Sequence, residues 1–170
     1  MKTAFLFPGQ GAQTVGMGAD VAAAYPAAAE LFAKANDIVG FDLRAVCFEG
    51  PAERLNSTTM SQPAIFVTSA ALLEILRTQE ATRDLAADVT AGLSLGEYTA
   101  LYAAGVISFE DALLLVKKRG EAMQAAADAT EGGMVSLIGL DEEKVRQLCD
   151  EAAEGDLLEP VNFNLSLIHI

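Results

Sequence analysis

A four-residue apolar run, Ala4-Phe5-Leu6-Phe7, stops at Pro8. It is too short for a helix, so residues 2–7 read as a buried strand. The "PGQGAQ" that follows holds two glycines and a proline within four residues, which favours a loop. Residues 26–38 read as a helix, with Pro26 suited to its first turn and Gly40 just past its end. Residues 48–63 form a turn-rich connection with room for one short helical turn. Residues 63–79 are apolar almost all round, and Ile65, Ala70, Leu72, Leu73 and Ile75 predict a mostly buried helix. A strand is expected near 87–91, then a Gly-Leu-Ser-Leu-Gly turn and a helix over 95–104 that stops at Gly105. Residues 108–129 give the clearest helix, because Ser108 and Asp111 have capping-box spacing and acids fill the first turn. "EGG" at 131–133 ends it. Beyond lie a strand at 134–140, an acid-started helix at 141–154 and a strand at 157–164. That β-α-β run predicts a separate small α+β subdomain, with the boundary near 128–132.

The composition is that of a globular chain: 170 residues, 52% hydrophobic and 21% charged. Tryptophan is absent and alanine abundant, so closely packed helices are expected. The net charge of −13, with no basic cluster larger than Lys117-Lys118-Arg119, argues against nucleic-acid binding. Cys47 and Cys149 fit no metal or redox spacing and read as buried thiols. The N-terminal apolar run is shorter than a signal peptide's, and no stretch is read as reaching the ~18 residues of a membrane span. A cytoplasmic protein that engages no membrane is expected.

Three residues carry candidate chemistry. Ser94 sits in Gly92-x-Ser94-x-Gly96, between an expected strand and an expected helix. Such a turn exposes the hydroxyl, and the helix behind it aims N–H groups at developing negative charge. A plain helix cap beside two turn glycines fits the same letters. Gln10 lies at the tip of the loop after the first strand, where its backbone N–H can serve an oxyanion, or where the loop is only a turn. Arg119 falls on the helical face that includes Ala112, Leu115, Val116, Ala122, Met123 and Ala126. A guanidinium in an apolar stripe needs a partner, either an internal acid or a bound carboxylate.

"FPGQGAQTVGMG", "GLSLGEYTAL" and "RGEAMQ", in this order, resemble the bacterial malonyl-CoA:acyl-carrier-protein transacylases and, more distantly, polyketide synthase acyltransferase domains. "VNFN" at 161–164 resembles the family's small-subdomain strand, so the likeness spans 1–164. It implies an α/β hydrolase-like subdomain with a parallel central sheet over 1–129, and part of a ferredoxin-like small subdomain over 130–164. It implies Ser94 as the nucleophile that becomes malonylated, the backbone N–H groups of Gln10 and Leu95 as the oxyanion hole, and Arg119 as the malonyl carboxylate's ligand. It implies malonyl-CoA and acyl carrier protein as partners, and neither cofactor nor metal. Two departures stand out. The family usually has His before the nucleophile, where this chain has Leu93. Its catalytic His and the Gln that orients it lie in a later half, and His169 stands in no family motif.

The last six residues, "LSLIHI", equal the translation of CTGTCTCTTATACACATC, the end of a transposon-based sequencing adapter. Residues 165–170 are therefore expected to be an adapter-derived tail, against the alternative of a natural apolar strand. A transacylase cut at this point is expected to be inactive and prone to aggregation. Two readings remain beside the transacylase: an acyltransferase or serine hydrolase for another acyl group, and a non-catalytic module binding acyl-CoA or a carrier protein.

Overall fold

A computed structural model describes residues 2–164 and 167–169. The chain divides into two compact units, Met1–Asp128 and Ala129–Ile170. The first is mostly helical around a two-stranded parallel sheet, β1 (Ala4–Phe7) beside β2 (Val89–Gly92). Asp88 fixes the start of that pairing. Its carboxylate accepts the Thr3 N–H at 2.7 Å, and its own N–H donates to the Thr3 carbonyl at 2.8 Å.

Between the strands run α1 (Ala19–Ala24), α2 (Pro26–Val39), α3 (Leu43–Glu49), α4 (Ala52–Asn56) and α5 (Thr58–Thr78). After β2 come α6 (Gly96–Ala103) and α7 (Phe109–Ala129). Phe32, Leu43, Val46, Ile65, Phe66, Leu113 and Val116 form the core with closely packed alanines. The bounds of α2 follow the sequence reading: Pro26 opens it, and Gly40 closes it at φ 78°. Ser108 caps α7, its Oγ accepting the Asp111 N–H at 3.1 Å and donating to the Asp111 carboxylate at 2.7 Å.

Four features differ from the sequence reading. Helices α1 and α3 were not expected, and α5 starts at Thr58 with Pro63 inside it. Proline forfeits one backbone bond in a helix, but Ser61 to Val67 are all buried, so packing outweighs that loss. Helix α5 is also long and apolar enough to cross a membrane by length and composition, yet 67% of that stretch is buried inside the protein. The face of α7 that packs is Phe109, Ala112, Leu113, Val116 and Gly120, whereas Leu115, Ala122 and Met123 are exposed. Gly120 decides this, because a Cβ there would lie 3.0 Å from the Thr58 carbonyl oxygen. Close helix approach selects the glycine face over the bulkier one.

The second unit contains β3 (Ser136–Ile138), α8 (Glu142–Ala152), β4 (Asn162–Asn164) and β5 (Leu167–His169). Asp141 caps α8, accepting the Lys144 N–H at 2.9 Å. Val145 and Cys149 form its small core with Leu137, Leu140 and Leu158. The sheet order is β3-β5-β4, with β5 antiparallel to both neighbours. The β-α-β run is therefore split, its two strands separated by β5. Of the expected tail, residues 165, 166 and 170 lie outside the described residues.

Candidate active site

The local sequence explains the turn at Ser94. Ser94 has φ 53°, in the left-handed region that a non-glycine residue enters at a cost. The flanking glycines make it possible. A Cβ on Gly92 would overlap the backbone of Gly96, and a Cβ on Gly96 would overlap the Phe7 carbonyl. Gly9 obeys the same constraint, since a Cβ there would sit 2.7 Å from the Leu93 carbonyl oxygen. The turn is closed by Gly96 N–H donating to the Leu93 carbonyl at 2.9 Å and Glu97 N–H to the Ser94 carbonyl at 3.2 Å. It brings the loop after β1 against the loop after β2, at the start of α6. A Ser that merely capped α6 would offer Oγ to that helix's own N–H groups, and no such bond is present among the described residues.

Ser94 is exposed, and its Oγ accepts a hydrogen bond from Arg119 Nη2 at 2.9 Å. Arg119 is half-buried, on the flank of the packed face of α7. Its Nη1 donates to Gln62 Oε1 at 2.7 Å, and its guanidinium lies 6.0 Å from the Tyr98 ring centroid. Among the described residues no carboxylate pairs with it. The internal-acid alternative for Arg119 is thus replaced by an amide and a hydroxyl, which leave its charge uncompensated.

Gln62 was not singled out in the sequence. It is fully buried on α5, and its Nε2 donates to Met123 Sδ at 3.1 Å and reaches Gln10 Oε1 at 3.5 Å. Gln10 Nε2 in turn reaches Thr58 Oγ1 at 3.4 Å. With its amide nitrogen engaged this way, the carbonyl oxygen of Gln62 faces Arg119. In the sequence it ends the polar stretch Thr58-Thr59-Met60-Ser61-Gln62 ahead of Pro63, and nothing local sets it apart.

The backbone N–H groups of Gln10 and Leu95 donate to no acceptor among the described residues. Leu95 is buried beneath the turn, while Leu93 is 57% exposed beside the serine. The single histidine, His169, belongs to β5 in the second unit. Both cysteines are free and buried, and burial pushes the Cys47 thiol up to about 12.

A serine on a left-handed strand-to-helix turn, beside the loop after β1, is the arrangement in which acyl-transfer enzymes present a nucleophile. The chain belongs to the acyl transferase domain family, whose sequence profile matches residues 4–155. It is 50% identical over 161 residues to the malonyl CoA-acyl carrier protein transacylase of Escherichia coli (strain K12), covering 95% of this chain and 51% of that protein. The chain spans about half the length of the curated malonyl CoA-acyl carrier protein transacylases it matches. Its fold matches the solved structure of the Coxiella burnetii malonyl CoA-acyl carrier protein transacylase with a TM-score of 0.91 at 40% identity, over 99% of this chain and 54% of that one. A second solved match is a malonyl-transacylase in complex with its type II polyketide synthase acyl-carrier protein, with a TM-score of 0.89 at 40% identity, over 99% of this chain and 54% of that one.

Proposed function

We propose that this chain carries the nucleophile and carboxylate-binding part of an [acyl-carrier-protein] S-malonyltransferase of fatty-acid biosynthesis, acting in the cytoplasm. Its first unit would be part of a hydrolase-like subdomain, and its second part of a ferredoxin-like one. In the first step Ser94 Oγ attacks the thioester carbonyl of malonyl-CoA. The serine proton passes to a base that the described residues of this chain do not supply, the carbon–sulfur bond breaks, and the same base returns the proton so that coenzyme A leaves as its thiol. In the second step the phosphopantetheine thiol of acyl carrier protein attacks the malonyl-serine ester and restores Ser94. The Gln10 and Leu95 N–H groups would hold the oxyanion of each tetrahedral intermediate.

The observation that carries this reading is the Arg119 guanidinium beside Ser94 Oγ, without an acidic partner among the described residues. A malonyl group on Ser94 ends in a carboxylate, and an arginine fork binds a carboxylate through two parallel hydrogen bonds. In the free protein one arm of that fork rests on the nucleophile itself. A bound carboxylate competes for the arm, so the charged substrate releases the hydroxyl that attacks it. Gln62 holds the other arm in place.

Binding tests this without requiring turnover. Calorimetric titration should show malonyl-CoA binding at least ~10-fold tighter than acetyl-CoA, because a charge-assisted pair contributes about 1.5–3 kcal/mol. Arg119→Ala should erase the preference. Equal affinity for both thioesters in the wild-type protein would refute the malonyl assignment.

A further inference from the structure

Close to Arg119 lies a sulfur that the proposed reaction does not use. Met123 follows Arg119 by four residues on α7, so the two share a helix face, and the methionine leans back toward the arginine's turn. Met123 is 41% exposed, yet its Sδ accepts a hydrogen bond from Gln62 Nε2 at 3.1 Å. Gln62 is fully buried, and its other end, Oε1, accepts from Arg119 Nη1 at 2.7 Å. One planar amide thus links the thioether to an arm of the guanidinium. The second contact of the amide nitrogen, to Gln10 Oε1, is long at 3.5 Å, so Sδ is the nearer of its two acceptors. Of the other described methionines, Met17 and Met60 pack against the core, and Met134 is 63% exposed in the second unit.

We propose that Met123 is a reversible oxidation site whose sulfoxide unseats the Arg119 fork. The oxidant is a hydroperoxide. A lone pair of Sδ attacks its outer oxygen, the oxygen–oxygen bond breaks, and a sulfur–oxygen bond forms. Sulfur is oxidised and the peroxide reduced; its proton ends on the leaving oxygen, which departs as an alcohol, or as water from hydrogen peroxide. A thioether sulfur is a weak acceptor, whereas a sulfoxide carries a polar oxygen on a sulfur that is now positively polarised. Gln62 Nε2 therefore leaves the sulfur for that oxygen. The amide is rigid, so Oε1 moves with it and the Nη1 arm of Arg119 loses its anchor. Methionine sulfoxide reductases reverse the change. The consequence for malonyl-CoA rests on the reading of Ser94 and Arg119 given above; the link from Met123 to Arg119 does not.

The test titrates the chain with hydrogen peroxide and follows it by peptide mass mapping and by the Arg119 guanidinium nitrogen-15 resonance. Met123 should take up oxygen before Met17 and Met60. With no thioester present, the Arg119 resonance should shift in step with Met123 and not with Met134, and a methionine sulfoxide reductase should return it. Malonyl-CoA affinity should fall about tenfold on oxidation, while acetyl-CoA affinity stays level. Met123→Leu should make the Arg119 resonance indifferent to peroxide, whatever its starting position, and Met134→Leu should leave the peroxide response intact. Met123→Gln, which sets a neutral carbonyl where the sulfoxide would lie, should reproduce the oxidised state without peroxide. An Arg119 resonance that ignores Met123 oxidation would overturn the proposal. So would a Met123 that stays reduced until the core methionines react, or a malonyl preference that survives oxidation unchanged. A reduced protein with no preference for malonyl-CoA, whose Arg119 resonance still follows Met123, would support the redox link and sink the malonyl reading instead.

Discussion

Replacing Gln62 by leucine tests the network behind the serine. The substitution keeps approximate volume in a fully buried position but removes the oxygen that accepts from Arg119 Nη1 at 2.7 Å. A hydrogen bond to a charged donor contributes about 1.5–3 kcal/mol. Arg119 is only half-buried, so water recovers part of this, and about 1–2 kcal/mol of the loss remains. The lost contact to Met123 Sδ is weak, and leucine's apolar burial offsets it. We therefore expect Q62L to destabilise the first unit by roughly 1 kcal/mol in urea titration, with an unchanged m-value. The functional effect should be larger in proportion. With one arm of the fork unheld, affinity for malonyl-CoA should fall about tenfold, while that for acetyl-CoA stays level. A stable Q62L protein that binds both thioesters as the wild type does would show that Gln62 does not position Arg119.

Further outcomes follow from the same geometry. Gly96→Ala should cost about 3 kcal/mol or more, or prevent folding, because its Cβ overlaps the Phe7 carbonyl, which is backbone and has little freedom to move; thermal denaturation would show it, and a wild-type Tm would contradict the turn's geometry. Cys47, its thiol pushed up to about 12 by burial, should resist iodoacetamide at about pH 8 until the protein is unfolded, as peptide mass mapping would record. Asp42 caps α3, and the hydrogen bond from the Ala45 N–H, followed by that from Asn36, holds its carboxyl below the usual range. Its contribution is present above the unfolded carboxyl pKa and is lost as pH falls through the lower folded value. Asp42→Ala should therefore lower Tm at neutral pH, with a gap to wild type that closes in acid. The chain alone should show no malonyl adduct on Ser94 in intact-mass spectra, because no base is hydrogen-bonded to its hydroxyl among the described residues; an adduct would overturn that expectation.

Much of the first unit was legible because its signals are local. Pro26 and Gly40 bound α2, Ser108 caps α7, and the glycines of the Ser94 turn each answer to a backbone atom within overlap distance. What escaped is set by tertiary packing. Helix α1 has no side-chain cap and opens at Gly18, so nothing local announces it. Helix α3 does carry a readable signal, the Asp42 cap, in a stretch not read as helical. Pro63 reads as a helix start, yet burial from Ser61 onward carries α5 back to Thr58. On α7 the exposed Leu115 and Met123 mislead a periodicity argument, because the face that packs is chosen by Gly120 against Thr58. Of the site, Ser94 and Arg119 stood out in the sequence. Gln62 did not, since its role depends on the approach of α5 to α7.

The central claim is that Arg119 presents a carboxylate-binding fork to the acyl group on Ser94. Guanidinium nitrogen-15 NMR, with Arg119→Lys to assign the signal, reads that fork directly. Malonyl-CoA should shift the Arg119 side-chain resonances, acetyl-CoA should leave them in place, and Gln62→Leu should weaken the malonyl response. If both thioesters move the Arg119 signal alike, or neither does, Arg119 does not read the carboxylate and the malonyl assignment fails.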